Sequence, residues 1–117
     1  MKITNEDAVS IVTRLCPDDF VGGIARRVAC EQILDLDAEE WVNRPVDEIL
    51  APLFIEAEKY SKTMVDGMCS INKYGANNAE LKEMLTSAVS KAMMYSRVIG
   101  YVSSAHEVAR TYALLGK

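Results

Sequence analysis

Apolar residues recur every three or four positions through two long stretches of the chain. In the first stretch they are Val46, Leu50, Leu53, Ala57, Tyr60, Met64, Gly67 or Met68, and Ile71. In the second they are Leu81, Leu85, Ala88, Ala92, Tyr95, Ile99, Val102, His106, Ala109 and Ala113. Alternating steps of four and three are typical of a helix seam that packs against another helix. The spacing predicts two long helices, about 45–74 and 78–115, that fold together as an antiparallel hairpin.

The residues between the two seams are typical of a helix end followed by a tight turn. Gly75 predicts a left-handed C-cap, and Ala76 and Asn77 predict the turn. Inside the first helix, Pro52 predicts a kink rather than an end, because proline lacks an N–H and crowds the preceding turn. Gly67 lies on the seam, where a bare backbone predicts a close approach of the facing helix.

The second helix carries one competing signal. Gly100 precedes Ser104-Ala105-His106-Glu107, which resembles the capping box that starts a helix. Because the apolar seam stays in phase across these positions, we predict one continuous helix.

Residues 1–44 predict two or three shorter helices. Thr4 is placed to cap the first helix, and Pro17 ends it because the residue before a proline avoids the helical conformation. Asp18 or Asp19 is placed to cap the second helix.

A third short helix follows from the capping-box pattern that begins at Asp37, and Pro45 suits the first position of the next helix. The predicted fold class is therefore all-α: a helical bundle in which a long antiparallel hairpin packs with shorter N-terminal helices. We predict a single domain over 1–117, with 1–44 as the cap region and 45–117 as the hairpin.

A second apolar line runs along the C-terminal half of the last helix. It consists of Met94, Val98, Tyr101, Ala105, Val108, Tyr112 and Leu115. A helix that is apolar over so wide an arc must be covered on two sides. The N-terminal helices are the natural cover, and a second copy of the chain is the other candidate. We therefore predict a protein interface at Met94, Val98, Tyr101, Val108, Tyr112 and Leu115.

Charge is spread unevenly along the chain. The net charge is −4 at pH 7, and residues 1–44 carry nine acidic and five basic side chains, whereas residues 45–117 carry eight of each. An acidic surface repels phosphate, so nucleic acid and anionic lipid are disfavoured as partners. The same surface mildly favours a partner with a basic surface, and a solvated acidic face without a partner is the interpretation that we favour over it.

Cysteine content and apolar runs bear on the compartment. Cys16, Cys30 and Cys69 are odd in number and form no CxxC pair, which favours reduced thiols in the cytoplasm. The longest mostly apolar run, Val98–Ala105, is too short to span a bilayer, and the N-terminal residues lack a signal-peptide pattern.

Few side chains have the types and spacing that catalysis or metal binding requires. The single histidine, His106, lies on the apolar seam and is interpreted as a hydrogen-bonded core residue, since neither a second histidine nor a Glu three residues earlier is present. The three cysteines fall at apolar helical positions and are interpreted as core residues. We therefore assign no catalytic residue, no metal ligand and no cofactor.

One stretch has the character of an anion site. Gly22 and Gly23 at a helix start, followed by Arg26 and Arg27, are residue types that hold phosphate or nucleotide. No strand precedes them and no GK[ST] follows, so the pattern fits no nucleotide fingerprint. A packing turn is the competing interpretation. A DNA-binding helix–turn–helix over residues 5–35 is disfavoured by the local acidic charge.

The leading hypothesis is a non-enzymatic protein–protein interaction module, such as a regulator, adaptor or stoichiometric inhibitor, that forms a homodimer. The alternative is a small-ligand or anion-binding protein that uses the glycine–arginine stretch. Five methionines at helical spacing fit either core filling, which we favour, or an adaptable binding surface. They are Met64, Met68, Met84, Met93 and Met94.

Overall fold

The computed structural model describes residues 2–74 and 79–116, and this part of the chain is helical without any strand. The five helices are α1 (Asn5–Leu15), α2 (Phe20–Leu36), α3 (Ala38–Asn43), α4 (Val46–Tyr74) and α5 (Ala79–Leu115). The predicted all-α helical bundle is therefore confirmed. The predicted glycine cap at Gly75 and the turn through Ala76 and Asn77 lie outside the described residues.

The first two helices start at the predicted polar caps. The Thr4 hydroxyl accepts a hydrogen bond from the Asp7 N–H at 3.1 Å. The Asp19 carboxylate accepts one from the Gly22 N–H at 2.7 Å, which resolves the choice between Asp18 and Asp19. Both bonds satisfy amide groups that a helix start leaves without an intrahelical acceptor.

The start of α3 differs from the prediction. Asp37 occupies the N-cap position, but its side chain makes no capping bond and its φ is +64°. The cap comes instead from α1, because the Asn5 side-chain oxygen accepts the Ala38 N–H at 2.7 Å. The Asn5 amide nitrogen also donates to the Asp37 carboxylate at 3.2 Å. The capping-box prediction is wrong here because a distant side chain supplies the acceptor.

Both long helices are continuous across their predicted weak points. Helix α4 contains Pro52 in its interior. Helix α5 runs without interruption through Gly100 and Ser104, so the predicted continuity is confirmed.

The chain forms two compact units, divided within both long helices. Unit 1 comprises Met1–Ala51 and Arg97–Lys117, and unit 2 comprises Pro52–Ser96. Unit 1 thus groups the N-terminal helices with the end of α5, where Val98 and Ala105 of the second apolar line are buried. Its largest fully buried side chains are Trp41, Ile33, His106, Val12, Val42, Val98 and Val102.

Unit 2 is an antiparallel pair of helical segments. The backbone of Gly67 faces Leu85 so closely that a β-carbon at Gly67 would lie 3.1 Å from the Leu85 Cδ1. The rings of Tyr60 and Tyr95 stack with centroids 5.7 Å apart. Gly67 thus lies opposite Leu85, and Tyr60, which is earlier in α4, lies opposite Tyr95, which is later in α5. This is the antiparallel register of the predicted hairpin, and the close approach at Gly67 is confirmed.

Candidate functional site

His106 is the buried polar centre of unit 1. Its side chain is 2% exposed, and its Nε2 lies 2.9 Å from the carbonyl oxygen of Trp41. A carbonyl only accepts hydrogen bonds, so Nε2 carries the proton. The imidazole also meets the Trp41 indole edge to face, with centroids 4.9 Å apart. The prediction that His106 is a hydrogen-bonded core residue is confirmed.

A short hydrogen-bonded chain continues from Trp41. The Trp41 indole N–H donates to the Gln32 side-chain oxygen at 3.2 Å. The Gln32 amide then donates to the carbonyl of Ile49 at 2.9 Å. Residues from α2, α3, α4 and α5 are thereby linked, and their buried polar groups are satisfied.

Burial lowers the pKa of His106, because desolvation disfavours the charged imidazolium. The positive charge of Arg110 lowers this pKa further, whereas the carbonyls of Trp41 and Arg44 act in the opposite direction. His106 is therefore a neutral structural group at pH 7 in this fold.

A cavity of about 480 Å³ lies beside His106, between the start of α4 and the end of α5. Its lining consists of Val46 from α4 and, from α5, Ser103, His106, Glu107, Arg110, Thr111 and Leu114. Sequence reasoning did not single out this group. The lining residues of α5 recur at steps of three and four between residues 103 and 114, which places them on one face of the helix. A mixture of polar and apolar residues at that spacing is, however, also typical of a helix face exposed to solvent.

Two opposite charges at this cavity make no ion pair with each other. Neither the Glu107 carboxylate nor the Arg110 guanidinium has a hydrogen bond or salt bridge to a described side chain. The Thr111 hydroxyl, by contrast, is engaged, because it donates to the Glu107 carbonyl at 2.9 Å. The cavity therefore offers both a cation and an anion to a ligand.

The glycines of the predicted anion site serve the packing of α2. The Gly22 N–H is already occupied by Asp19, and a β-carbon at Gly22 would overlap the carbonyl oxygen of Pro17. Gly23 has open space around it. The competing interpretation of a packing turn therefore explains why glycine stands at position 22.

The two arginines of the same stretch point to different surroundings. The Arg26 guanidinium donates to the Cys16 carbonyl at 3.4 Å and so caps the end of α1. Arg27 is exposed and lines a shallow groove of about 350 Å³ together with Asp19, Phe20, Gly23 and Ile24. The structure therefore does not bring Gly22, Arg26 and Arg27 to one open site, and the Asp19 carboxylate faces the groove that Arg27 lines.

The predicted interface residues on α5 divide between core and surface. Val98 is fully buried in unit 1, and Met94 and Tyr101 are half-buried. Val108, Tyr112 and Leu115 are exposed by 43%, 45% and 80%, respectively. The exposed part of the predicted interface is therefore confined to its C-terminal residues.

The cysteines are free thiols with different surroundings. Cys16 is buried, Cys30 is half-buried and Cys69 is exposed, which differs from the prediction that all three lie in the core. Burial raises the pKa of the Cys16 and Cys30 thiols, although the charge of Arg26 acts in the opposite direction. Both thiols are consequently protonated and weakly nucleophilic at neutral pH.

Among residues 2–74 and 79–116, no three His, Cys, Asp or Glu side chains are grouped to hold a metal ion. Within the same residues, none of the helices combines the length and apolar character needed to cross a bilayer. Comparison with known protein families, curated proteins and solved structures finds no match to this chain.

Proposed function

We propose that this chain is a non-enzymatic protein-interaction module that self-associates through one face of unit 2. The observation that carries the proposal is a set of large apolar side chains exposed on one side of this helical pair. We name this side the hairpin face and define it by Phe54, Val65, Met68 and Met93, which are exposed by 48%, 59%, 56% and 65%, respectively.

Helical geometry places these four residues together. Phe54, Val65 and Met68 lie on one face of α4, because steps of 11 and 3 residues return to nearly the same angle. Each of these three residues follows a seam residue of α4 by one position, and Met93 follows a seam residue of α5 by one position. All four are therefore rotated away from the contact line in the same direction. In two antiparallel helices, residues displaced from the contact line in the same sense lie on the same side of the pair. These methionines suit an adaptable contact rather than core filling.

The opposite side of unit 2 is charged. Lys59 and Glu56 form an ion pair at 3.5 Å there. The Lys91 ammonium lies 5.3 Å from the centre of the Tyr60 ring on the same side. Charge is therefore concentrated on this side, although Glu58 and Lys82 each follow a seam residue by one position and so lie on the hairpin face.

A second copy of the chain is the binding partner that best matches this face. Unit 2 contains five acidic and five basic residues, so two copies meet without net repulsion. At about 1.5 Å per residue and 10 Å per helix, the whole side of unit 2 that carries this face, along residues 52–73 of α4, measures roughly 30 by 20 Å, or about 600 Å² per copy. Two copies would bury about 1,200 Å², which is at the lower bound for a stable interface. A two-fold pairing of two helical pairs gives a four-helix bundle.

The acidic surface of unit 1 remains available to a further partner. This unit contains twelve acidic and eight basic residues, which favours a protein with a basic surface. We also propose a cytoplasmic location, where the three thiols would stay reduced.

Light scattering during size exclusion tests the self-association. At tens of micromolar the wild-type chain is expected at twice its mass of 13.0 kDa. Val65→Glu with Met68→Glu is expected to give a folded monomer, because buried carboxylates repel across a two-fold axis. Met84→Glu is the matched control, since Met84 is 49% exposed on the charged side and should leave the dimer intact.

Two results would contradict the proposal. A wild-type monomer at this concentration removes self-association altogether. If Val108→Glu with Tyr112→Glu dissociates the dimer and the hairpin-face variant does not, the contact surface is the end of α5.

A further inference from the structure

The cavity beside His106 is built on a rigid floor. The imidazole is fixed by its bond to the Trp41 carbonyl and by the edge of the Trp41 ring. Four helices hold these groups through the Gln32 bonds described above. A preformed floor lowers the entropy cost of binding a small molecule, and a volume of about 480 Å³ falls in the range of ligand pockets.

The charges at the rim define what such a molecule must carry. Glu107 and Arg110 lie three residues apart on α5, so their side chains start on adjacent turns about 5–6 Å from each other. Each lines the cavity, and neither has a partner among the described side chains. A ligand that presents an ammonium and a carboxylate on a single carbon satisfies both in charge-assisted hydrogen bonds.

The remaining wall favours an apolar group. Val46 and Leu114 supply aliphatic surface, and 49% of the Leu114 side chain is exposed. The Ser103 hydroxyl provides one more polar contact at this cavity.

From these features we infer that the cavity binds a free α-amino acid with an aliphatic side chain. Arg110 binds the ligand carboxylate, Glu107 binds the ligand ammonium, and Val46 and Leu114 contact its side chain. The site belongs to unit 1 and does not use the hairpin face. It therefore adds a ligand to the proposed interaction module, and either proposal can fail without the other.

Three probes test this recognition: L-leucine, N-acetyl-L-leucine, which lacks the ammonium, and L-leucinamide, which lacks the carboxylate. Binding is followed by the shift in melting temperature, because a ligand of the folded state stabilises it by mass action. The emission of Trp41, the single tryptophan, gives a second readout next to the site. Leucine is expected to saturate both signals, and each analogue to bind at least about tenfold more weakly.

Arg110→Gln is expected to weaken leucine binding at least about tenfold, and Glu107→Gln to do the same. Arg97→Gln is the matched control, because Arg97 lies on the same helix and bonds to Tyr101 rather than lining the cavity. The inference is overturned if leucine gives no saturable signal at millimolar concentration. Equal binding of the three probes, or unchanged binding in Arg110→Gln, overturns it as well.

Discussion

Units 1 and 2 use the same kind of apolar seam but cover it to very different degrees. In unit 1, twelve apolar residues are buried completely, with Trp41, Ile33 and Val102 among them. In unit 2, only Leu53, Gly67 and Ala88 are buried among the described residues. The seam tyrosines of unit 2 contact each other yet remain half-exposed.

The difference follows from the number of neighbours. Each segment of α4 and α5 in unit 1 packs with α1, α2 or α3 as well, whereas unit 2 contains only two helical segments. A two-helix pair buries one stripe of each helix and leaves the flanks to solvent. Apolar spacing thus identifies the side that faces a neighbour, while the extent of burial depends on how many neighbours are present.

The largest expected effect is in the close packing of unit 1. Gly22→Ala places a methyl group against the Pro17 carbonyl. The clash is with backbone atoms, which can move aside only at a large cost in free energy. We expect a loss of about 3 kcal/mol or more in unfolding free energy, measured by denaturant titration with Trp41 fluorescence. Gly23→Ala is the control, since nothing lies within 4 Å of its added carbon, and it should stabilise by up to about 1 kcal/mol. Similar losses in both variants would contradict the packing role of Gly22.

A smaller effect is expected from pH. The folded-state pKa of His106 lies below its unfolded value, so the unfolded chain binds the additional proton first. The stability of unit 1 should therefore be fully present above the unfolded pKa of about 6.5 and decline as pH falls below it. Melting curves between pH 7.5 and 5.5 isolate this group, because the chain contains one histidine. His106→Gln should flatten the dependence, and a slope unchanged in that variant would assign it to another group.

The smallest effect is expected in unit 2. Gly67→Ala brings its new carbon to 3.1 Å from the Leu85 Cδ1, the end of a flexible side chain that can move aside. The gain in helix propensity offsets part of the free-energy cost of this close contact, so we expect the unfolding free energy to change by less than about 1 kcal/mol. Helix melting by circular dichroism measures it. A loss as large as that of Gly22→Ala would mean that unit 2 is packed as rigidly as unit 1.

Local patterns predicted local features well. The Thr4 cap, the close approach at Gly67 and the burial of His106 each depend on periodicity or on residues within one turn, and all three are confirmed. The cap of α3 was predicted wrongly because its acceptor, Asn5, is 33 residues away from Ala38.

The cavity and the hairpin face escaped prediction for a related reason. Leu114 and Val46 meet only after the end of α5 packs against the start of α4. Met68 and Met93 fit a core by composition, and their exposure arises because unit 2 supplies no third helix to cover them. The spacing of residues along the sequence does not show which distant residues meet or how many helices pack together.

The bond from Asn5 to Ala38 has a consequence for the order of folding. Helix α3 has six residues, and so short a helix does not persist alone in water. Its first turn gains an acceptor only after the start of α1 has docked. Formation of α3 should therefore be coupled to the docking of α1 rather than precede it.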